Sequence, residues 1–174
     1  MSGSKQEVIL SEYDPEWVDL FELEKKEIVP LLQDILIGIE HIGSTSIPGM
    51  TAKPVIDIMV GIAGLEQLST VHIQRLELIG YEHVEHVHFP ERKFFRKGKR
   101  GAGTHHLHIY LYEGEHWKAN RGFRNYLRMY PETAVEYAEL KSKLNEIYAY
   151  NREAYTKAKA PFIQRILQQA EEIT

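Results

Sequence analysis

The stretch "VIDIMVGI", Val55 to Ile62, constrains the fold more than any other part of the chain. It is an almost unbroken run of apolar, largely β-branched residues, and such a run reads as a strand buried on both faces. Side chains alternate along a strand. Ile56, Ile58, Val60 and Ile62 therefore share one face, and Val55, Asp57, Met59 and Gly61 share the other. Asp57 points away from the aliphatic side. A carboxylate in a strand interior needs partners or a metal, because burying it alone is costly.

Just upstream, "HIGSTSIPGMTAK" sets a Gly43-Ser44 turn in front of that acid. Gly43 and Ser44 can turn sharply and expose backbone N–H groups with a hydroxyl, an arrangement that suits phosphate or another anion. Thr45, Ser46 and Thr51 add donors, and Lys53 adds a positive charge. The same residues also make an ordinary capped turn, and a lone strand Asp also serves as a structural hydrogen-bond acceptor.

Around this centre the periodicity gives a sequence of elements. Asp14 as N-cap, Pro15 at the first helical position, and Trp17, Leu20, Phe21 and Ile28 at helical spacing predict a helix over about 15–29. "DILIGIEHI" reads as a strand ending at Gly43, "KPVIDIMVGI" as the second strand, and Leu65 to Ile79 as a helix closed by Gly80. "GYEHVEHVHF" and "THHLHIYLYEG" are the third and fourth strands. From His116 the text is helical in three segments, divided at Pro131 and Asn151, with Pro161 starting or bending the last. Helices grouped after the strands predict an α+β fold: a small mixed sheet with packed helices and a C-terminal helical extension. We expect one domain over residues 1–174, with an α/β core over roughly 8–112 and helices 116–172 packed on it.

Composition excludes some chemistry. The chain has no cysteine, so disulfides, thiolate zinc sites and thiol nucleophiles are out. The N-terminus "MSGSKQEVIL" has no long apolar core, so neither signal peptide nor membrane anchor is expected and the expected location is cytoplasmic. A formal net charge of −4 argues against general nucleic-acid coating.

Two other patterns carry chemistry. In "HHLHIYLY", Leu107, Ile109 and Leu111 form one strand face, while His106, His108, Tyr110 and Tyr112 form the other. If this strand lies beside the Asp57 strand in matching register, Asp57, His106 and His108 make a two-histidine, one-carboxylate metal set. Such a set suits Zn²⁺, Mn²⁺ or Fe²⁺ better than a pair of Mg²⁺ ions, and the expected cofactor is a divalent Mg, Mn or Zn ion. His86, His88 and Glu82 share a face that a solvated strand edge explains equally well. Positive charge gathers in "RKFFRKGKR", read as a flexible basic hairpin tip, and on the face of Arg121, Arg124 and Arg128. Arg92, Arg96 and Arg124 are expected to line a pocket for a phosphorylated small molecule, with Tyr155 and Lys159 at its rim. Lys93, Lys97, Lys99 and Arg100 are left to solvent.

The blocks "HIGSTSIPGMTAKPVIDIMV", "THHLHIY", "FRNYLRMYPETAVEYAELKSKL" and "YTKAKAPFI" together resemble the GrpB family, over about Val8 to Leu167. That resemblance implies a fold of the nucleotidyltransferase superfamily, in which a Gly-Ser motif after one strand precedes acids on the next. Ser44 and Asp57 fit this spacing. The superfamily pattern also implies a second carboxylate two residues after the first, where this chain has Met59. A thioether is no ligand for Mg²⁺, so two-metal chemistry of the usual kind does not follow. Three readings stay open: a phosphate- or nucleotide-handling enzyme using Ser44 and Asp57, a nucleotide or phospho-ligand binding module without turnover, and an interaction domain for another enzyme.

Overall fold

The computed structural model describes residues 9–173, and the N-terminal residues 1–8, read above as part of neither a signal peptide nor an anchor, lie outside the described residues. The first helix, α1, spans Glu16–Leu32 with Pro15, not Asp14, at its N-cap, one residue later than expected, while the Asp14 carboxylate still accepts the Glu16 N–H at 2.9 Å. Strand β1 (Leu36–Ile42) leads into a single 3₁₀ turn at Ser44–Ser46, and β2 covers Ile56–Ile62. Helix α2 is shorter than the periodicity predicts, Thr70–Leu78, because the chain breaks at Ser69. There the His72 ring accepts the Ser69 N–H and so caps the helix from within.

Strand β3 is also short, Tyr81–Val84. The segment "KFFRKGK" is not a hairpin tip but a full strand, β4 (Lys93–Lys99), and β5 runs from Ala102 to Leu111. Its aromatic pair explains the difference: Phe95 is completely buried against the sheet core, and Phe94 packs on the opposite face. Three helices finish the chain: α3 (Glu115–Met129), α4 (Pro131–Tyr148) and α5 (Arg152–Ile173), the last running through Pro161.

The five strands form one mixed sheet in the order β1-β2-β5-β4-β3. Only β2 and β5 are parallel, with Asp57 beside His106 and Met59 beside His108. The isoleucine face of β2 meets Phe21, Ile28 and Leu32 of α1 and Leu76 of α2 in the largest core cluster. Each such side chain contributes about 1.5–3 kcal/mol on burial. On this face Lys97 is not in solvent: its ammonium holds the buried Glu24 carboxylate at 2.9 and 3.2 Å. The other face is covered by Trp117 of α3, packed on Ile42, Met59 and Tyr110. A third cluster joins α3, α4 and α5 to the turn through Ile47 and Met50, so the Gly43–Thr51 segment is anchored among the helices. Among the described residues no helix is long and apolar enough to cross a membrane.

Trp117 lies on a flat patch made by glycine. A Cβ at Gly61 would sit 2.8 Å from its Cζ3 and 2.7 Å from Tyr112 Cδ2. Gly122, by contrast, has its nearest neighbour at an ordinary 3.9 Å and lies in the interior of α3. Gly61→Ala is expected to cost about 1–3 kcal/mol in urea denaturation through overpacking. Gly122→Ala is expected to be neutral or to stabilise by up to about 1 kcal/mol through helix propensity.

Candidate functional site

The parallel pairing of β2 with β5 builds the first half of the site. Asp57 and His106 are register partners, and His108 lies one pleat further along the same face. Asp57 Oδ1 is 3.1 Å from His108 Nε2 and 3.5 Å from His106 Nδ1. One donor atom from each of the three side chains falls within 4.8 Å of the others, close enough to share one divalent ion. Phe94 of β4 backs both rings, with centroids 5.2 Å away. Burial on its own would raise the Asp57 carboxyl, but the hydrogen bonds and charge of His106 and His108 outweigh it and hold the group far below the usual carboxylate range. The acid is ionised and aimed at the two imidazoles. Arg92 Nη1 lies 3.4 Å from His108 Nδ1. A guanidinium offers only donors, so His108 Nδ1 can enter this contact only as an acceptor.

Gly43 builds the second half. Its φ of 73° is in the left-handed region. A Cβ there would meet Asp57 Oδ2 at 2.5 Å and Asp57 Cβ at 3.0 Å. Glycine thus lets the turn rest directly on the acid. Thr45 and Ser46, expected above to bind ligand, are buried and spend their hydroxyls on the turn itself. Thr45 Oγ1 donates to Val55 O at 3.3 Å and accepts from His41 Nε2 at 3.0 Å, while Ser46 Oγ donates to Gly43 O. Ser44 is the half-exposed hydroxyl of the three. Its Oγ accepts from Lys141 Nζ at 2.9 Å, and the same ammonium donates to Thr51 O at 2.7 Å.

Lys141 was not among the residues singled out from the sequence, although a signal was present. Ala134, Tyr137, Lys141 and Leu144 follow a three-four-three spacing and are all buried, so a lysine interrupts an apolar helix stripe. Burial pulls this amine down to about 7, and Lys159 adds to the effect. Lys53 is pulled down to about 8 by burial, Arg152 and Lys159. Burial also lowers Lys159, opposed by Asp57, and its ammonium sits 4.7 Å above the Tyr155 ring. None of these three lysines is ion-paired among the described residues. Positive charge without carboxylate partners therefore borders the Ser44 turn and Asp57.

The arginines are arranged differently from the expectation. Arg92 does reach the site, but its guanidinium lies between the Phe89 and Phe94 rings, 4.8 Å from each, and touches His86 at 2.6 Å. Arg96 forks onto Glu82 across the β3–β4 pair at 3.1 and 3.2 Å. Arg124 is buried and donates to Glu40 and to His41 O. Arg128 Nε donates to Ser46 O at 2.9 Å. Arg96 and Arg124 are thus bound to protein carboxylates instead of lining an open pocket, since each finds an acid across the sheet or beneath its helix.

His41 ties the turn to α1: its ring stacks on Phe21 at 4.8 Å. Burial, with Arg128 and Arg124 nearby, pulls it down to about 4. A histidine lowered in the folded state takes up its proton first in the unfolded chain, so its contribution is complete above about pH 6.5 and is lost as pH falls toward about 4. Between about pH 7 and pH 5, wild-type stability is expected to fall by roughly 2 kcal/mol more than that of His41→Gln, measured by urea denaturation at both pH values.

Comparison with known proteins agrees with this architecture. The family model described as "GrpB protein" matches residues 7–169. The chain is 35% identical to the Glutamate-rich protein GrpB of Alkalihalophilus pseudofirmus, covering 94% of this chain and 96% of the relative. It is 34% identical to the UPF0157 protein YqkA of Bacillus subtilis, covering 92% of this chain but 46% of that longer relative. The crystal structure of conserved protein GrpB from Enterococcus faecalis superposes with a TM-score of 0.85 at 36% identity, covering 93% of this chain and 96% of that one. With the same α+β fold, and a match over nearly its whole length, the chain is a member of the GrpB family.

Proposed function

We propose that this protein binds a phosphorylated small molecule, a nucleotide or another phosphate ester, between a single divalent ion and a lysine wall. Asp57, His106 and His108 would hold the ion; Ser44, Lys53, Lys141 and Lys159 would meet the phosphate. The observation that carries this reading is three lysines near the Gly43-Ser44 turn that form no ion pair among the described residues, next to an ionised carboxylate with two imidazoles. Lysines that outnumber the one nearby acid, Asp57, favour an anion that balances the excess charge. The donor set of one oxygen and two nitrogens suits Zn²⁺ or Mn²⁺ better than Mg²⁺. When bound, such an ion polarises a phosphoryl oxygen or lowers the pKa of a water.

Met59 favours a restricted version of this function. It is fully buried beneath Trp117 and Tyr110, where the nucleotidyltransferase pattern has its second acid. Glu40 lies opposite Met59 on β1, but its carboxylate is held by Arg124. Among the described residues no second group of metal donors adjoins Asp57, His106 and His108. Within this proposal, binding with one-metal chemistry or with no turnover fits better than two-metal nucleotidyl transfer.

The test is elemental analysis after dialysis against Mg²⁺, Mn²⁺ and Zn²⁺, followed by nucleotide titration monitored by thermal shift. Asp57→Asn and His108→Ala are expected to lose the ion. Lys53→Ala and Lys159→Ala are expected to weaken nucleotide binding about tenfold or more, while Arg96→Ala leaves it unchanged. A wild-type protein that retains no ion and shows no stabilisation by any nucleotide or phosphate ester overturns the reading.

A further inference from the structure

Lys141 is 3% exposed, and three acceptors surround its nitrogen. These are Ser44 Oγ at 2.9 Å, Thr51 O at 2.7 Å and the Tyr137 ring, whose centroid lies 4.9 Å away. As an ammonium it has three N–H donors, one for each. Ser44 Oγ then accepts from lysine, and the hydroxyl hydrogen of this partly buried residue is left for another acceptor. As a neutral amine it keeps two N–H donors and gains a lone pair. Neither the Thr51 carbonyl nor the Tyr137 face can donate to that lone pair. Only the Ser44 hydroxyl can, so its hydrogen must turn inward.

The charge state of Lys141 therefore decides whether Ser44 presents a donor or an acceptor to the open side of the turn. We infer that Lys141 is a proton-linked positioning residue: it takes up a proton when a phosphoryl-type dianion docks on Ser44, and the ammonium then fixes the hydroxyl as a donor to that dianion. The inference rests on the anion-binding reading above and specifies how the site selects its ligand.

The surroundings favour such coupling. The lysine is buried, Lys159 of α5 opposes its charge, and among the described residues it has no carboxylate partner. The turn presents only the Ser44 hydroxyl and the Thr51 carbonyl. Its own helix contributes the Tyr137 phenol, which burial pushes up, and Tyr155 of α5, also raised by burial, lies close enough to influence Tyr137. Both phenols stay neutral, and the ionised Asp57, which also raises Tyr137, is not among the groups that shift Lys141.

Sulfate is the probe of choice, because its charge does not change across the relevant pH range. Its dissociation constant would be measured by thermal shift at fixed ionic strength and at about pH 6.5, 7.5 and 8.5, for wild type, Lys141→Met and Lys141→Arg. Tripolyphosphate serves as a second, tighter probe. Linkage of one proton weakens binding by up to tenfold per pH unit above the free pKa. Lys53 adds its own slope in every variant, so the comparison isolates Lys141. The expected result is a wild-type slope steeper than either variant's. Lys141→Met should also bind at least about tenfold more weakly at the lowest pH. Lys141→Arg, which stays charged throughout, covers the case in which the methionine variant fails to fold. Binding with equal slopes in wild type and in the folded variants overturns the inference and leaves the anion site standing. Failure of wild type to bind either anion at about pH 6.5 overturns both.

Discussion

The contact between Asp57 and the imidazoles of His106 and His108 governs the arrangement of this site. A carboxylate on an interior strand of a covered sheet is stable as an anion only if nearby donors outweigh its desolvation. Those donors come from the one neighbouring strand that runs parallel to it, in a register that sets Asp57 beside His106. Shifting β5 by one residue would turn both histidines to the α1 side and leave the acid without them. The register is fixed in turn by Ile58, Val60, Leu107 and Ile109, which share the opposite face and are fully buried. Aliphatic packing on one side of the sheet thus determines the electrostatics on the other.

Much of this was legible in the sequence. Alternation in "VIDIMVGI" and "HHLHIYLY" assigned the faces, and the close spacing of Gly43, Ser44 and Asp57 located the turn against the acid. Strand β4 was hidden because five cations in "RKFFRKGK" look like a solvated tip. Their charges are accommodated locally: Lys97 on the buried Glu24, Arg96 on Glu82, Arg92 between two phenylalanines. The pattern of basic residues said that charge was present, but not which acids lay across the sheet. Those acids come from α1 and β3, far away in sequence, and no local periodicity encodes them.

The same limit explains why the arginines drew attention and Lys141 did not. Arginine runs invite a phosphate reading, yet a planar fork of donors is equally suited to carboxylates, and Arg96 and Arg124 found Glu82 and Glu40. Lysine has no fixed geometry to match. Lys53, Lys141 and Lys159 come from β2's approach, α4 and α5 and meet only in three dimensions. The visible clue was negative: a charged residue at a core position of α4, which a stable helix tolerates only if its polar end is fully bonded.

Trp117 determines whether Met59 could give way to a second acid on this strand face. Its ring lies on Gly38 and Gly61, with nearest would-be Cβ contacts of 3.0 and 2.8 Å, and packs on Met59 in the same cluster. Replacing Met59 alone with an acid would therefore bury a charge under an indole, on the same strand face as the ionised Asp57, and Glu40 is already committed to Arg124. Placing an acid there would require removing the tryptophan, releasing the glutamate and opening the floor together. The sheet face is built as an apolar floor meeting a polar edge. The edge, with Asp57, two imidazoles, one serine and three lysines, is where charge can be exchanged.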